Sequence, residues 1–298
     1  MKHASTHAKL LVVSIVWGIS WVAGRVVSQE IPPFTAGWAR YIIAVTCFLI
    51  FLKISNKWIT PTKEQWKIII LIGFLSTFIY QALFLYGMKW TAAGDASLMI
   101  TFNPLFTAVL AIPFLGEKFD KRISMGLFLA VCGIAVLAWY SPNVDIPINE
   151  RLLGDALIGL AALSWALSSI LMKKAMNGEN ALSPLHLTVW ASTVGLLIQT
   201  PAVMWEYSQV GFPTNASLEA WGWVVFLALI STVLSYVWFA DGIKQIGAGR
   251  SSLYVYLVPI FGILSGWLLL DEKLGFSLVI SFILIVGGVY LAQSKESS

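Results

Sequence analysis

Polar and aromatic residues recur at helical spacing inside the long apolar runs of this sequence. One run carries Ser76, Thr77, Tyr80, Gln81 and Phe84, and another carries Ser231, Thr232, Ser235, Tyr236, Trp238 and Phe239. Steps of three and four put each set on one helix face. Trp17, Ser20, Trp21 and Gly24 share a face in a third run, and Trp165, Ser168 and Ser169 repeat the theme in a fourth. Ser97, Thr101 and Asn103, then Ser252, Tyr254 and Tyr256, extend it to two more. A Ser or Thr taken alone reads as helix–helix packing, because small and hydroxyl residues line membrane interfaces. Trp and Tyr normally keep to the interfacial belts, so in mid-span they mark either buried packing or a cavity wall. Trp17, Tyr80, Gln81, Phe84, Thr101, Asn103, Trp165, Trp238 and Tyr256 are therefore the candidate substrate-binding residues. Such a wall suits a small molecule with an apolar or aromatic side chain, and its ring faces also suit a cationic amine.

What is missing narrows the chemistry. His3 and His7 lie in the N-terminal tail and His186 at a span end. There is no HExxH, no mid-span pair of carboxylates and no Cys/His cluster, so an intramembrane enzyme lacks its acid, base, nucleophile or metal. No metal and no cofactor is expected, and nothing calls for nucleic acid. Cys47 and Cys132 sit in apolar runs and imply no disulfide. With no Gly-rich ATP-binding loop, any energy must come from gradients.

Charge inside the apolar runs is scarce. Arg40 lies about 10 Å below the outer surface at 1.5 Å per residue, where an ionisable group is costly and usually has a role. Asp95 is the acid nearest in depth, so a structural ion pair between Arg40 and Asp95 is expected. Asp241 and Arg250 could pair likewise. Lys89 and Lys244 sit where a cation would cap a helix C-terminus. Glu117 and Glu272 are expected to accept from the first N–H groups of the helices that follow them. Pro104 and Pro259 each remove one helix N–H and free a carbonyl, near Ile100 and Val255. In lipid that carbonyl needs a partner or a wet cavity, so both prolines read as hinges.

The elements that position these residues follow from composition. The chain is 58% hydrophobic and 11% charged, against about 25% charged in soluble domains, and its mean hydropathy is +0.80. It must face lipid. Ten apolar runs reach membrane-spanning length, at about 9–28, 34–53, 66–88, 92–115, 121–140, 154–176, 184–206, 221–245, 248–270 and 276–293. The first of these reads as a retained span and not as a cleaved leader. Residues 82–118 and 237–273 align without a gap at an offset of 155. Gly87 meets Gly242, Lys89 meets Lys244, Ala93-Gly94 meets Ala248-Gly249, Pro104 meets Pro259, and Glu117-Lys118 meets Glu272-Lys273. Agreement on such residues in one register identifies a tandem repeat. The halves are 1–145 and 146–298, joined by a polar linker at 141–153. Lys and Arg crowd the loops on the side of the termini, which puts both termini in the cytoplasm. An odd number of spans per half inverts the second half relative to the first, the architecture of secondary transporters with a site at mid-membrane.

Two five-helix halves, each with a short hairpin, a mid-helix Pro and a terminal Gly-Glu-Lys or Asp-Glu-Lys, resemble the drug/metabolite transporter superfamily and its EamA-type branch. Trp17-Gly18 in span one and Arg40 in span two fit the same pattern. The resemblance covers nearly the whole chain. It implies an all-α integral membrane protein of ten transmembrane helices, in two inverted repeats around a central cavity lined by spans one, three, four, six, eight and nine. It also implies export of amino acids or related metabolites across the inner membrane. Asp271 stands where the pattern has Gly, and Arg40 has no basic counterpart in span seven. A sugar-phosphate or nucleotide-sugar exchanger is the alternative, and it would want two or more cations converging on phosphate. A multidrug or organic-cation exporter is a further one. A non-transporting scaffold would not need mid-span Pro and aromatic positions repeated in both halves.

Overall fold

The computed structural model describes residues 4–115, 121–143, 145–176, 181–246, 251 and 253–293. Regular structure among the described residues is helical throughout. Eight helices are long and apolar enough to cross a membrane: α1 Ala4–Glu30, α2 Pro33–Ile54, α3 Lys63–Trp90, α4 Ala93–Phe114, α5 Lys121–Tyr140, α6 Ile148–Ala175, α7 Pro184–Val210 and α8 Leu218–Ile246. Two shorter apolar helices follow, α9 Tyr254–Leu270 and α10 Phe276–Ala292.

Several helices overrun the apolar runs that signalled them. Helix α1 starts at Ala4, α3 at Lys63 and α6 at Ile148, which shortens the linker expected at 141–153. Hydropathy marks the lipid slab, whereas a helix continues into water as long as its ends are satisfied. At the start of α3 the Thr62 hydroxyl accepts from Gln65 N–H while the Gln65 side chain accepts from Thr62 N–H, a complete capping box. Ser183 and Ser217 cap α7 and α8 through His186 N–H and Ala220 N–H.

The helices are distorted at matching places in the two halves. Helix α3 widens to a π-turn over Phe74–Ile79 and α8 over Leu227–Leu234. Helix α4 tightens to a 3-10 turn over Ile100–Phe102, and a 3-10 turn over Leu253–Leu257 leads into the rest of α9. Adding 155 to the first member of each pair lands inside the second. Wide turns displace carbonyls from their usual donors, and hydroxyls take some of them. Thr232 Oγ1 donates to Leu227 O and Ser235 Oγ to Ile230 O, five residues back, each at 2.8 Å. At the 3-10 turn Asn103 N–H donates to Ile100 O. The carbonyl that Pro104 was expected to leave open is thus satisfied within α4.

Helices α5 and α10 pack backbone to backbone. A Cβ on Gly126 would collide with the Gly288 carbonyl and one on Gly288 with the Gly126 carbonyl, so only glycine permits this approach. One on Gly133 would press on the Ser281 carbonyl. The contacts run antiparallel and are reciprocal, since 126 and 133 map onto 281 and 288 at the offset of 155.

A largely buried polar cluster ties the start of α4 to α6 and to the turn after α9. Asp95, fully buried at the start of α4, accepts from Ser141 Oγ at 2.6 Å and Asn143 Nδ2 at 3.2 Å. Arg151 on α6 lies 4.0 Å from it and donates to the carbonyls of Asn143 and Ala138. Thr91 Oγ1 donates to buried Asp155 at 2.5 Å. The Glu272 carboxylate accepts from Ala93 N–H at 2.6 Å and Gly94 N–H at 2.9 Å. It therefore caps α4, not the helix that follows it in sequence. Burial pushes its carboxyl above the ordinary glutamate value, against the pull of those two N–H groups. The C-terminus of α3 is capped from α1, by Arg25 Nη1 on Met88 O and Lys89 O and by Gln29 Nε2 on Lys89 O. Lys89, expected in that role, instead lies 5.8 Å over the Trp90 ring. Asp241 pairs with Lys9 at 3.2 Å. Arg250, its expected partner, lies outside the described residues, as do Glu117, Ser252 and His3.

Candidate functional site

A chain of rings crosses the middle of the bundle. Trp17 on α1 meets Tyr236 and Phe239 on α8, with ring centroids 5.9 and 5.2 Å apart. Tyr236 meets Trp165 on α6 at 6.3 Å, and Trp165 meets Tyr80 on α3 at 5.0 Å. Tyr80 stacks on Phe84 at 6.2 Å, and Phe84 turns its edge to Trp21 at 5.3 Å. The Trp17 indole N–H donates to Ser231 O at 3.1 Å, inside the π-turn of α8. Tyr80 follows the first wide turn directly and Tyr236 lies two residues beyond the second, so both turns set the direction of these rings.

Beside this chain lies a cavity of about 50 Å³. Helix α3 contributes Ile72, Ser76 and Thr77, α6 contributes Trp165 and Met172, and α8 contributes Thr232 and Tyr236. The remaining wall is Tyr41 from α2 and Thr188, Ala191 and Ser192 from α7. The cavity is smaller than the roughly 300 Å³ at which ligand pockets begin. Its lining comes from α2, α3, α6, α7 and α8, so of the expected spans three, six and eight contribute to this cavity and one, four and nine do not. Helix α1 reaches it through the Trp17–Tyr236 contact.

Arg40 lies behind the chamber wall, against the lining residues Thr232 and Tyr41, and is 8% exposed. Its Nε and Nη2 donate to Thr232 Oγ1 at 3.1 and 2.9 Å, and its Nη1 donates to Gln81 Oε1 at 3.0 Å. The Tyr41 ring centroid is 5.5 Å from the guanidinium carbon. The expected Arg40–Asp95 ion pair does not form. Asp95 is similar in depth along its own helix but belongs to the cluster around Arg151, Ser141 and Asn143. Depth alone did not reveal which neighbour each helix turns toward.

The structure gathers some of the sequence candidates and disperses others. Trp17, Tyr80, Phe84 and Trp165 join the ring chain, and Gln81 is fully buried against Arg40. Thr101 spends its hydroxyl on Ser97 O in its own helix, and Asn103 accepts from Thr107. Trp238 is half-buried, and the ring chain runs through Tyr236 instead. Tyr256 packs on the main apolar core beside Val258. The reading of the sequence passed over Tyr41, Thr188 and Ser192. Thr188 and Ser192 are spaced i, i+4 on α7, a signal of the same kind as the one used elsewhere.

The sequence model of the EamA-like transporter family matches residues 5–139 and 152–293. Among curated relatives, the "Uncharacterized transporter YetK" of Bacillus subtilis (strain 168) is 25% identical over 99% of this chain and 88% of its own length. The "Probable amino-acid metabolite efflux pump" of Escherichia coli (strain K12) is 26% identical over 94% of this chain and 92% of its own length. A solved crystal structure superposes at TM-score 0.64 with 17% identity over 98% of each chain, a likeness of fold.

Proposed function

The chain belongs to the EamA-like transporter family, and from that premise we propose that it is a secondary transporter exporting amino acids or related small metabolites across the cytoplasmic membrane. In this reading the chain crosses the bilayer ten times, with repeats 1–145 and 146–298 inverted about an axis in the membrane plane. The observation that carries the mechanism is the paired distortion of the halves. The π-turns of α3 and α8, whose Ser76, Thr77 and Thr232 line the chamber, and the 3-10 turns of α4 and α9 fall in one register. Two similar halves with matching weak points can exchange conformations and open the chamber to one side and then the other. The reciprocal contact of α5 and α10 supports the same symmetry. Pro104 and Pro259 follow the 3-10 turns and act as the hinges. Trp17, Tyr80, Phe84 and Trp165 grip the apolar part of the substrate, with Gln81 at its polar end. The efflux relative supports amino-acid-like cargo.

The test is counterflow in proteoliposomes with radiolabelled amino acids, polyamines, phosphorylated sugars and cationic drugs. Exchange of one or more amino acids is expected, and Trp165→Ala should lower its initial rate at least tenfold at unchanged expression. Exchange confined to phosphorylated sugars or cationic drugs, or none with any compound, would reject the reading.

A further inference from the structure

We infer that Arg40 is the carboxylate-binding residue of the chamber, and that the substrate is a monoanion at that end. This rests on the transporter reading for its cargo and on the geometry alone for its chemistry. Arg40 is one of two buried cations among the described residues, the other being Arg151. Arg151 faces Asp95 and two carbonyls. Arg40 faces a threonine hydroxyl and a glutamine carbonyl, both neutral, and among the described residues no carboxylate comes within 4.0 Å of it. A guanidinium carries five N–H donors in a planar fork, and three are engaged here. Next to it Gln81, whose Oε1 is fixed by Arg40, has a buried Nε2 without an acceptor. The site therefore has surplus donors and a surplus positive charge. Gln199 Oε1, orphaned on the same side near Gly37, would relieve one N–H and leave the charge unbalanced.

A carboxylate supplies both missing quantities, two acceptor oxygens in a plane and one negative charge. A phosphate dianion would want a second cation, which the described chamber does not offer. The position fits as well. Thr232 and Tyr41 each touch the guanidinium and line the cavity, so an acid docked on Arg40 extends its other end toward Trp165 and Tyr236. Helix α7, which contributes Thr188, Ala191 and Ser192 to the lining, has no Lys or Arg between Pro184 and Val210, so it adds no second cation to the site.

The test uses purified full-length protein in detergent, with phenylacetate and its neutral isostere phenylacetamide as probes. Thermal unfolding against probe concentration should give wild-type protein at least tenfold tighter apparent binding of the acid than of the amide. Arg40→Gln should lose that difference, and Arg40→Lys, which keeps the charge without the fork, should retain part of it. A second measurement needs no variant: phenylglyoxal modification of Arg40, mapped by mass spectrometry, should be slowed by phenylacetate and not by the amide. Equal binding of acid and amide, an acid preference unchanged in Arg40→Gln, or modification indifferent to the acid would overturn the assignment. If the counterflow panel gives no flux while phenylacetate binds through Arg40, the transporter reading falls and the anion site stands. Flux of cargo alongside equal binding of acid and amide does the reverse.

Discussion

Arg40 and Arg151 are both buried, yet their surroundings predict opposite consequences of removal. Arg151 holds the fully buried Asp95 and two carbonyls that end neighbouring segments. Arg151→Ala leaves that buried carboxylate with only its hydroxyl and amide partners, and breaking a buried pair costs about 3–5 kcal/mol. Its melting temperature in detergent should fall far more than that of Arg40→Gln, whose neutral partners lose only hydrogen bonds. The double variant Arg151→Ala, Asp95→Asn should recover part of the loss, because the stranded charge is gone. Wild-type melting of Arg151→Ala would show that Asp95 is stabilised by its hydroxyl and amide partners alone. Arg40 was legible in the sequence as a residue with a role, since charge at depth is costly. Its role was not, because the partner that decides it comes from a helix 192 residues away.

The π-turns of α3 and α8 set the rotation of everything beyond them. A π-turn amounts to one extra residue in a helix, so removing one residue restores the ordinary ladder and turns the remainder by about 100°. Deleting Phe74, which is exposed on the outer face of α3, should leave helicity near wild type. It should also swing Tyr80 and Gln81 away from Trp165 and Arg40 and abolish counterflow. Circular dichroism and transport on the same preparation test this, and transport near the wild-type rate would remove the π-turn from the mechanism. The polar stripes on these helices were visible at helical spacing. The wide turns were not, because they depend on hydroxyls such as Thr232 and Ser235 reaching carbonyls five residues back, a choice that packing against other helices decides.

At the scale of the molecule, buried Asp95, Arg151 and Asp155, with half-buried Glu272, tie the start of α4 to α6 and to the turn after α9. From the Lys and Arg count we propose that this end of the bundle faces outside. Single cysteines at Ser5 and at Asn149, both exposed, in a background lacking Cys47 and Cys132, make the test. An impermeant thiol reagent applied to intact cells should label position 149 and spare position 5. The opposite pattern would invert the topology, and with it the direction in which that end faces.

Composition, hydropathy and the offset of 155 determined by themselves that the chain is a helical membrane protein built from two like halves. They did so because these signals are local or are sums along the chain, and neither depends on which helix neighbours which. Periodicity went one step further and chose the faces of α1, α3, α6 and α8 that carry the ring chain. Tertiary structure alone decided the pairings: Arg40 with Thr232 and Gln81, Asp95 with Ser141 and Asn143, and Glu272 with the start of α4. A residue's place in the sequence fixes its depth in the membrane to a few ångströms. Its partner depends on the direction it faces around the helix axis and on the helix waiting there, and those are set when the two halves pack.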